Sequence, residues 1–126
     1  GQRLIVKLNY LINTEAVSKY LITVNLTTEQ KNEIYASEAD ILNVALFGMT
    51  AKQWRIVNPN KEGNIRDYVS TIELAILSNL EFYNSKLIEE NIPQKTRLII
   101  LNDEANKEKE LFNKNNEKVL KITNNE

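Results

Sequence analysis

The 126-residue chain is 42% hydrophobic and 26% charged, carries a formal net charge of −1 and contains neither Cys nor His. That size and composition suit one domain able to bury its own core. The missing residue types exclude disulfides, thiolate zinc sites and the common His- or Cys-based nucleophile pairs, and the balanced charge excludes a globally basic nucleic-acid binder. No apolar run approaches the ~18 residues of a membrane helix, and no signal peptide opens the chain, so the expected setting is cytoplasmic. The leading Gly1 resembles the scar of tag removal, and an excised piece of a longer protein is expected.

Taken in chain order, the sequence predicts an all-α fold: a single compact helical domain over 1–126, with about five to six helices. Capping boxes, in which Ser or Thr precedes an acid or Gln by three residues, mark helix starts. They recur at Thr27–Gln30, Ser37–Asp40, Thr50–Gln53 and Ser70–Glu73. No Asn-Gly or Asp-Gly turn lies between alternating apolar runs, so hairpin signals do not compete.

A first helical region is expected over about Arg3 to Leu21, with a break near Asn13–Thr14. Its apolar residues Leu4, Ile5, Leu8, Leu11 and Ile12 share one face at helical spacing. A short helix should follow Thr27, then one from Glu38 to Phe47 that Gly48 ends. The next runs from Ala51 to Val57 and stops before Pro59, which disfavours helical geometry in Asn58. A long helix after Ser70, striped by Ile72, Ile76, Leu80, Tyr83 and Leu87, reaches Glu90. Pro93 opens the last helix, whose face is Leu98, Leu101, Ala105 and Phe112. The two long helices, joined by a short connection, should form an antiparallel hairpin. Residues 114–126 are Asn- and Lys-rich and are expected to fray or project.

Enzymatic readings find little support. The carboxylate clusters, Glu89 with Glu90 and Asp103 with Glu104 and Glu108, read as solvated helix faces, although Glu104 and Glu108 are spaced to share a metal. Three scattered Gly build no phosphate loop. No catalytic residue, cofactor, metal or small-molecule substrate is expected.

One segment stands apart. Residues 43–68 hold the only Trp and Met and two of the three Gly. Within residues 51–70, Lys52, Arg55, Lys61 and Arg66 face only Glu62 and Asp67, giving the one positive stretch of the chain. "ADILNVALF-GMT-AKQWRIV" has the layout of a helix-turn-helix. Gly48 makes the turn, Met49 plugs it, Thr50 caps the second helix, and Ala51, Trp54 and Val57 face inward. Lys52 and Arg55 would share an outer edge, Gln53 is a type able to read adenine, and Lys61 and Arg66 add nearby charge. These five residues are the candidate DNA contacts. The structural alternative is equally coherent: a tight helix corner needs Gly48, the Thr50 cap and the Trp54 anchor whatever it does. Arg66, Asp67 and Tyr68 likewise read either as a phosphate clamp or as a local network fixing the loop on the next helix.

"YASEADILNVALFGMTAKQWR", followed by "NPNKEGNIRDY", "LSNLEFYNSKLI" and "QKTRLIILNDEA", resembles the region C-terminal to the KilA-N domain in KilA-N domain-containing proteins of bacteria and phages. "KLNYLINTEAV" is similar to the opening of that region, and the resemblance covers roughly residues 3 to 106. Pro93 departs from the pattern, standing where Ser or a similar cap is expected. The resemblance implies a DNA-binding parent protein whose DNA contacts lie in the KilA-N domain, which this chain lacks. It transfers no site residues. The expectation is then a noncatalytic accessory domain for self-association, such as a homodimer, or for partner binding, with DNA reached through the missing domain. The alternative is direct DNA binding through the helix-turn-helix-like element at 38–57.

Overall fold

Helix starts are set by side chains that satisfy the orphan amides of the first turn, and two of the four capping boxes close as their spacing predicts. The computed structural model describes residues 2–21 and 27–124. Thr50 Oγ1 accepts from the Gln53 amide at 3.1 Å while Gln53 Oε1 accepts from the Thr50 amide at 2.8 Å. Ser70 and Glu73 make the same reciprocal pair at 3.1 and 3.2 Å.

In chain order, α1 (Gln2–Ala16) runs into a π-helical turn (Val17–Leu21), followed by α2 (Thr28–Phe47) and α3 (Ala51–Val57). A 3-10 turn (Ile65–Tyr68), α4 (Thr71–Glu89) and α5 (Gln94–Asn124) complete the chain. No strand occurs among the described residues, and the fold is all-α.

Several boundaries differ from expectation. α1 passes through Asn13 and Thr14 unbroken: Thr14 Oγ1 donates back to the Tyr10 carbonyl at 2.9 Å, and Asn13 is buried. The irregularity comes later, at Val17–Leu21, where the wider turn keeps Val17 buried beside Ala16 and Ile88. Ser37 starts no helix. It lies inside α2, and its hydroxyl accepts from Gln94 Nε2 on α5 at 2.6 Å, a cross-helix bond in place of a cap. The Thr27–Gln30 pair involves a side chain outside the described residues, although α2 does begin at Thr28. Pro93 precedes α5 rather than opening it, its carbonyl accepting from the Arg97 amide at 2.9 Å. Helical backbone continues in α5 to Asn124.

The hairpin between α4 and α5 is closed by a Schellman motif. Asn91 adopts φ 60°, its amide donates to the Ile88 carbonyl, and the Ile92 amide donates to the Leu87 carbonyl, both at 3.0 Å. Ile92 then packs in the same apolar cluster as Leu87. At the other corner Gly48, at φ +75°, ends α2 with its amide on the Val44 carbonyl at 3.0 Å. That backbone region costs a residue with a Cβ about 1 kcal/mol or more. Lys109 of α5 donates to the Leu46 carbonyl at 2.7 Å, placing positive charge at the C-terminal end of α2, where the helix dipole favours it.

The apolar core lies between α2, α4 and α5. Ile41, Leu42, Ala45 and Leu46 meet Ile76, Leu77, Leu80 and Leu87, with Leu101 and Ala105 opposite and Ile72, Leu98 and Phe112 at its margin. The expected stripes of α4 and α5 are therefore the core-facing ones, except that Tyr83 stays partly exposed.

Candidate functional site

The corner was the sequence's main candidate, and the structure shows what each of its residues touches. Trp54 is buried, with its ring centroid 5.3 Å from that of Tyr68. Ala51 and Val57, expected to face inward beside it, do not: Val57 is 71% exposed and Ile56 69%, and Ala51 is exposed too. At ~100° per residue, positions three and six apart drift across about 120° of a helix, so a seven-residue helix anchored by Trp54 turns both ends of that series away. Met49 is half-buried.

The candidate contacts are largely engaged within the domain. Arg55 stacks over Trp54 at 4.9 Å, and its Nη1 donates to the carbonyls of Asn58 (3.1 Å) and Lys61. Its Nη2 donates to the Gly63 carbonyl. One guanidinium therefore organises the whole 58–63 loop through its fixed fork of donors. Lys61 Nζ sits 5.1 Å over the Tyr68 ring, and the Tyr68 hydroxyl donates to the Glu62 carbonyl at 2.6 Å. Gln53 is held in the Thr50 cap, whereas bidentate reading of adenine needs both ends of its amide. Among the described residues, the exposed side chains of Lys52 and Lys61 make no hydrogen bond or ion pair; Lys61 has the Tyr68 ring, and Lys52 has no such neighbour.

Arg66 leaves the loop altogether. Its Nη2 lies 3.2 Å from Glu81 Oε1 on α4, and its guanidinium is 6.0 Å from the Tyr10 ring of α1. The turn that presents it is capped by Asn64 and Asp67, with the Asn64 amide donating to Asp67 Oδ2 at 2.8 Å. Gly63, at φ +83°, is required twice over: an added Cβ would come 2.3 Å from that same Asp67 oxygen.

Glu81 belongs to a polar seam that sequence patterning missed. α1 packs along α4, with Ala16 in an apolar cluster with Ile88 and with polar side chains meeting elsewhere along the contact. Asn9 Nδ2 donates to Ser78 Oγ at 2.7 Å, and Asn84 Nδ2 donates to Asn13 Oδ1 at 3.0 Å. Arg97 extends this seam to α2 and α5. Its Nη1 and Nη2 each donate to a Glu38 oxygen at 2.6 Å, its Nη1 also reaches Asn84 Oδ1 at 2.9 Å, and its Nε reaches the Ile92 carbonyl at 2.9 Å. Arg97 and Glu38 are both buried, and the two-pronged geometry is the strong form of such a pair.

Glu81 is less well served. It is 1% exposed, and although Arg66 stands at ion-pair distance, neither carboxylate oxygen receives a hydrogen bond. Burial pushes its pKa up to about 7, with Arg66 offsetting part of the rise. It borders a cavity of about 160 Å³ shared with Tyr10, Tyr35, Glu38 and Arg66. On the opposite side of the hairpin, Glu108 accepts from Asn79 at 2.7 Å. No group of three or more potential metal ligands forms among the described residues.

With Asn9, Asn13, Ala16 and Val17 turned inward, the apolar stripe of α1 is turned out. Leu4, Ile5, Leu8, Leu11 and Ile12 are between 37% and 60% exposed. This reverses the burial that their spacing leads one to expect, because Ser78 and Asn84 on the face of α4 toward α1 bond Asn9 and Asn13 and so draw the amide face of α1 inward rather than its aliphatic face. The signal was present in sequence as two matched polar series, Asn9 with Asn13 and Ser78 with Glu81 and Ser85, at helical spacing. It becomes readable only once α1 and α4 are known to be neighbours.

No described helix is long and apolar enough to cross a membrane. No family model matches this chain, and no curated protein or solved structure does.

Proposed function

We propose that this chain is a noncatalytic association domain of a DNA-binding, phage-derived protein of the KilA-N type, acting in the cytoplasm. DNA is contacted by the KilA-N domain, and this domain holds its parent to another protein surface. The observation that carries the reading is the outward apolar stripe of α1. Five large aliphatic side chains at one-face spacing form a contiguous patch, the kind of surface that soluble domains reserve for contacts. The KilA-N relationship itself rests on the sequence resemblance. Pairing two parents would raise the apparent DNA affinity through effective concentration.

Direct DNA binding by the corner is the weaker reading, because Gln53, Arg55, Lys61 and Arg66 each have a partner inside the domain. Counterion-driven affinity needs cations free to meet phosphates. The two readings separate in one experiment: anisotropy of labelled duplex DNA at low and moderate salt, alongside light scattering of the chain at high micromolar concentration. Association that disappears in Ile5→Glu/Leu8→Glu, with helicity retained and no DNA binding, is the expected result. A strictly monomeric chain with salt-sensitive DNA binding, abolished by Lys52→Glu/Arg55→Glu, overturns it.

A further inference from the structure

We propose that the 3-10 turn Ile65–Tyr68 is a lid over the Glu81 cavity, and that it opens when Glu81 loses its proton, releasing Arg66 to solvent. The inference is independent of the association reading above.

The two members of the Arg66–Glu81 pair differ in their access to water. The Arg66 side chain is 32% exposed and that of Glu81 1%, so the guanidinium is the member that meets solvent while the carboxyl lies beneath it. Beside them is the cavity of about 160 Å³, to which α1 contributes Tyr10, Asn13 and Thr14 and α2 contributes Tyr35 and Glu38. Lifting the turn withdraws the guanidinium and lets water reach the carboxyl.

The surrounding charges do not relieve Glu81. Glu38 of α2 is held by both Nη atoms of Arg97 from α5, and Arg97 is further engaged by Asn84. Asp67, on the turn itself, accepts from the Asn64 amide. Arg66 lowers the Glu81 pKa, but by less than burial raises it. The ionised carboxyl is therefore disfavoured in the closed, dry arrangement and favoured in the open, hydrated one. Hydration returns the pKa from about 7 toward 4.5, so opening becomes easier as pH rises across that interval and levels off above 7.

The turn can lift without dismantling its neighbours. Gly63, at φ +83°, precedes it, and Val69 and Ser70 follow in extended backbone. α4 starts under its own Ser70–Glu73 cap, and the 58–63 loop is fastened separately by Arg55. Ile65 is the buried residue of the turn, yet it joins neither apolar cluster of the domain. The turn is kept shut by that one side chain, by the Trp54–Tyr68 ring contact and by Arg66 on Glu81. Segments with so few buried apolar contacts open locally, well below the free energy of global unfolding.

Residue-resolved amide hydrogen exchange, followed by NMR and corrected for intrinsic rates, tests the lid on the intact chain. The reporter is the Asp67 amide, which donates to the Asn64 carbonyl at 3.0 Å within the turn, and buried Leu80 of α4 reports the core. In the wild type, Asp67 protection should lie well below that of Leu80. It should fall by up to ~10-fold per pH unit between about pH 5 and 7 and then level off. In Glu81→Gln it should be independent of pH over the same range; Asp67 is present in both proteins, so the comparison isolates Glu81. Wild-type Asp67 protection that does not change with pH would overturn the lid, as would a pH dependence that survives in Glu81→Gln. Equal protection at Asp67 and Leu80 at every pH would also overturn it, because the turn would then open only when the whole domain unfolds.

Discussion

The two sides of α4 hold their neighbours by different means. Toward α2 and α5 it presents Ile76, Leu77, Leu80 and Leu87, which meet other aliphatic side chains in a core where nothing depends on protonation. Toward α1 it presents Ser78 and Asn84, equally buried but secured by directional bonds to Asn9 and Asn13, with buried Glu81 between them paired to Arg66 of the 3-10 turn. The apolar side is tolerant in geometry and strong in sum. The polar side fixes register and leaves the hydrophobic residues of α1 available on the outside. A helix that would otherwise complete the core is thereby converted into a surface element.

Substitutions on the two sides should fail in distinguishable ways. The largest effect is expected for Arg97→Ala, which strands the buried Glu38 carboxylate and removes donors to Asn84 and the Ile92 carbonyl. Breaking one member of such a pair costs about 3–5 kcal/mol, and urea denaturation should show it as a collapse of the midpoint. Leu80→Ala, on the apolar side, should cost about 3 kcal/mol through lost burial and the cavity left behind. Because its neighbours in the core cluster are apolar, the loss should be nearly the same at pH 5 and pH 8.

Glu81→Gln is expected to act in the opposite direction and to depend on pH. The folded-state pKa is raised from 4.5 to about 7, so the wild-type stability linked to this group is fully present below pH 4.5. It is lost as pH rises through 7, since ionising the buried carboxyl then opposes folding. The neutral Gln escapes that loss and should be more stable than wild type at pH 8 by up to about 2–3 kcal/mol, with little difference near pH 4.5. Thermal midpoints measured across that range would check it, and an advantage that grew toward acid pH would refute the assignment. The smallest effect is expected for Thr50→Ala, about 1 kcal/mol from one lost cap, read as a slightly lowered thermal midpoint with the fold intact.

Particular residues show how much was legible in the sequence. The Thr50 and Ser70 caps, the Gly48 terminus and the core stripes of α4 and α5 follow from local rules, and those rules operate within a few residues. Ser37 satisfied the same local pattern as Thr50 and failed, because Gln94, 57 residues away, engages its hydroxyl from α5. The cations of the corner were visible as charge but not as partners: Arg66 reads as free until Glu81 is placed beside it.

That this protein is helical, where most of its helices begin and end, and that it carries no His- or Cys-based chemistry could be read from the chain alone. These properties depend on residue types and short spacings. Which face of α1 lies inside, which cations are engaged and that Glu81 is buried beside Arg66 follow from packing between elements distant in the chain. The physical reason is that an apolar stripe specifies a face but not its partner. The polar series of α4 captured the other face of α1 with hydrogen bonds, and the stripe was left at the surface.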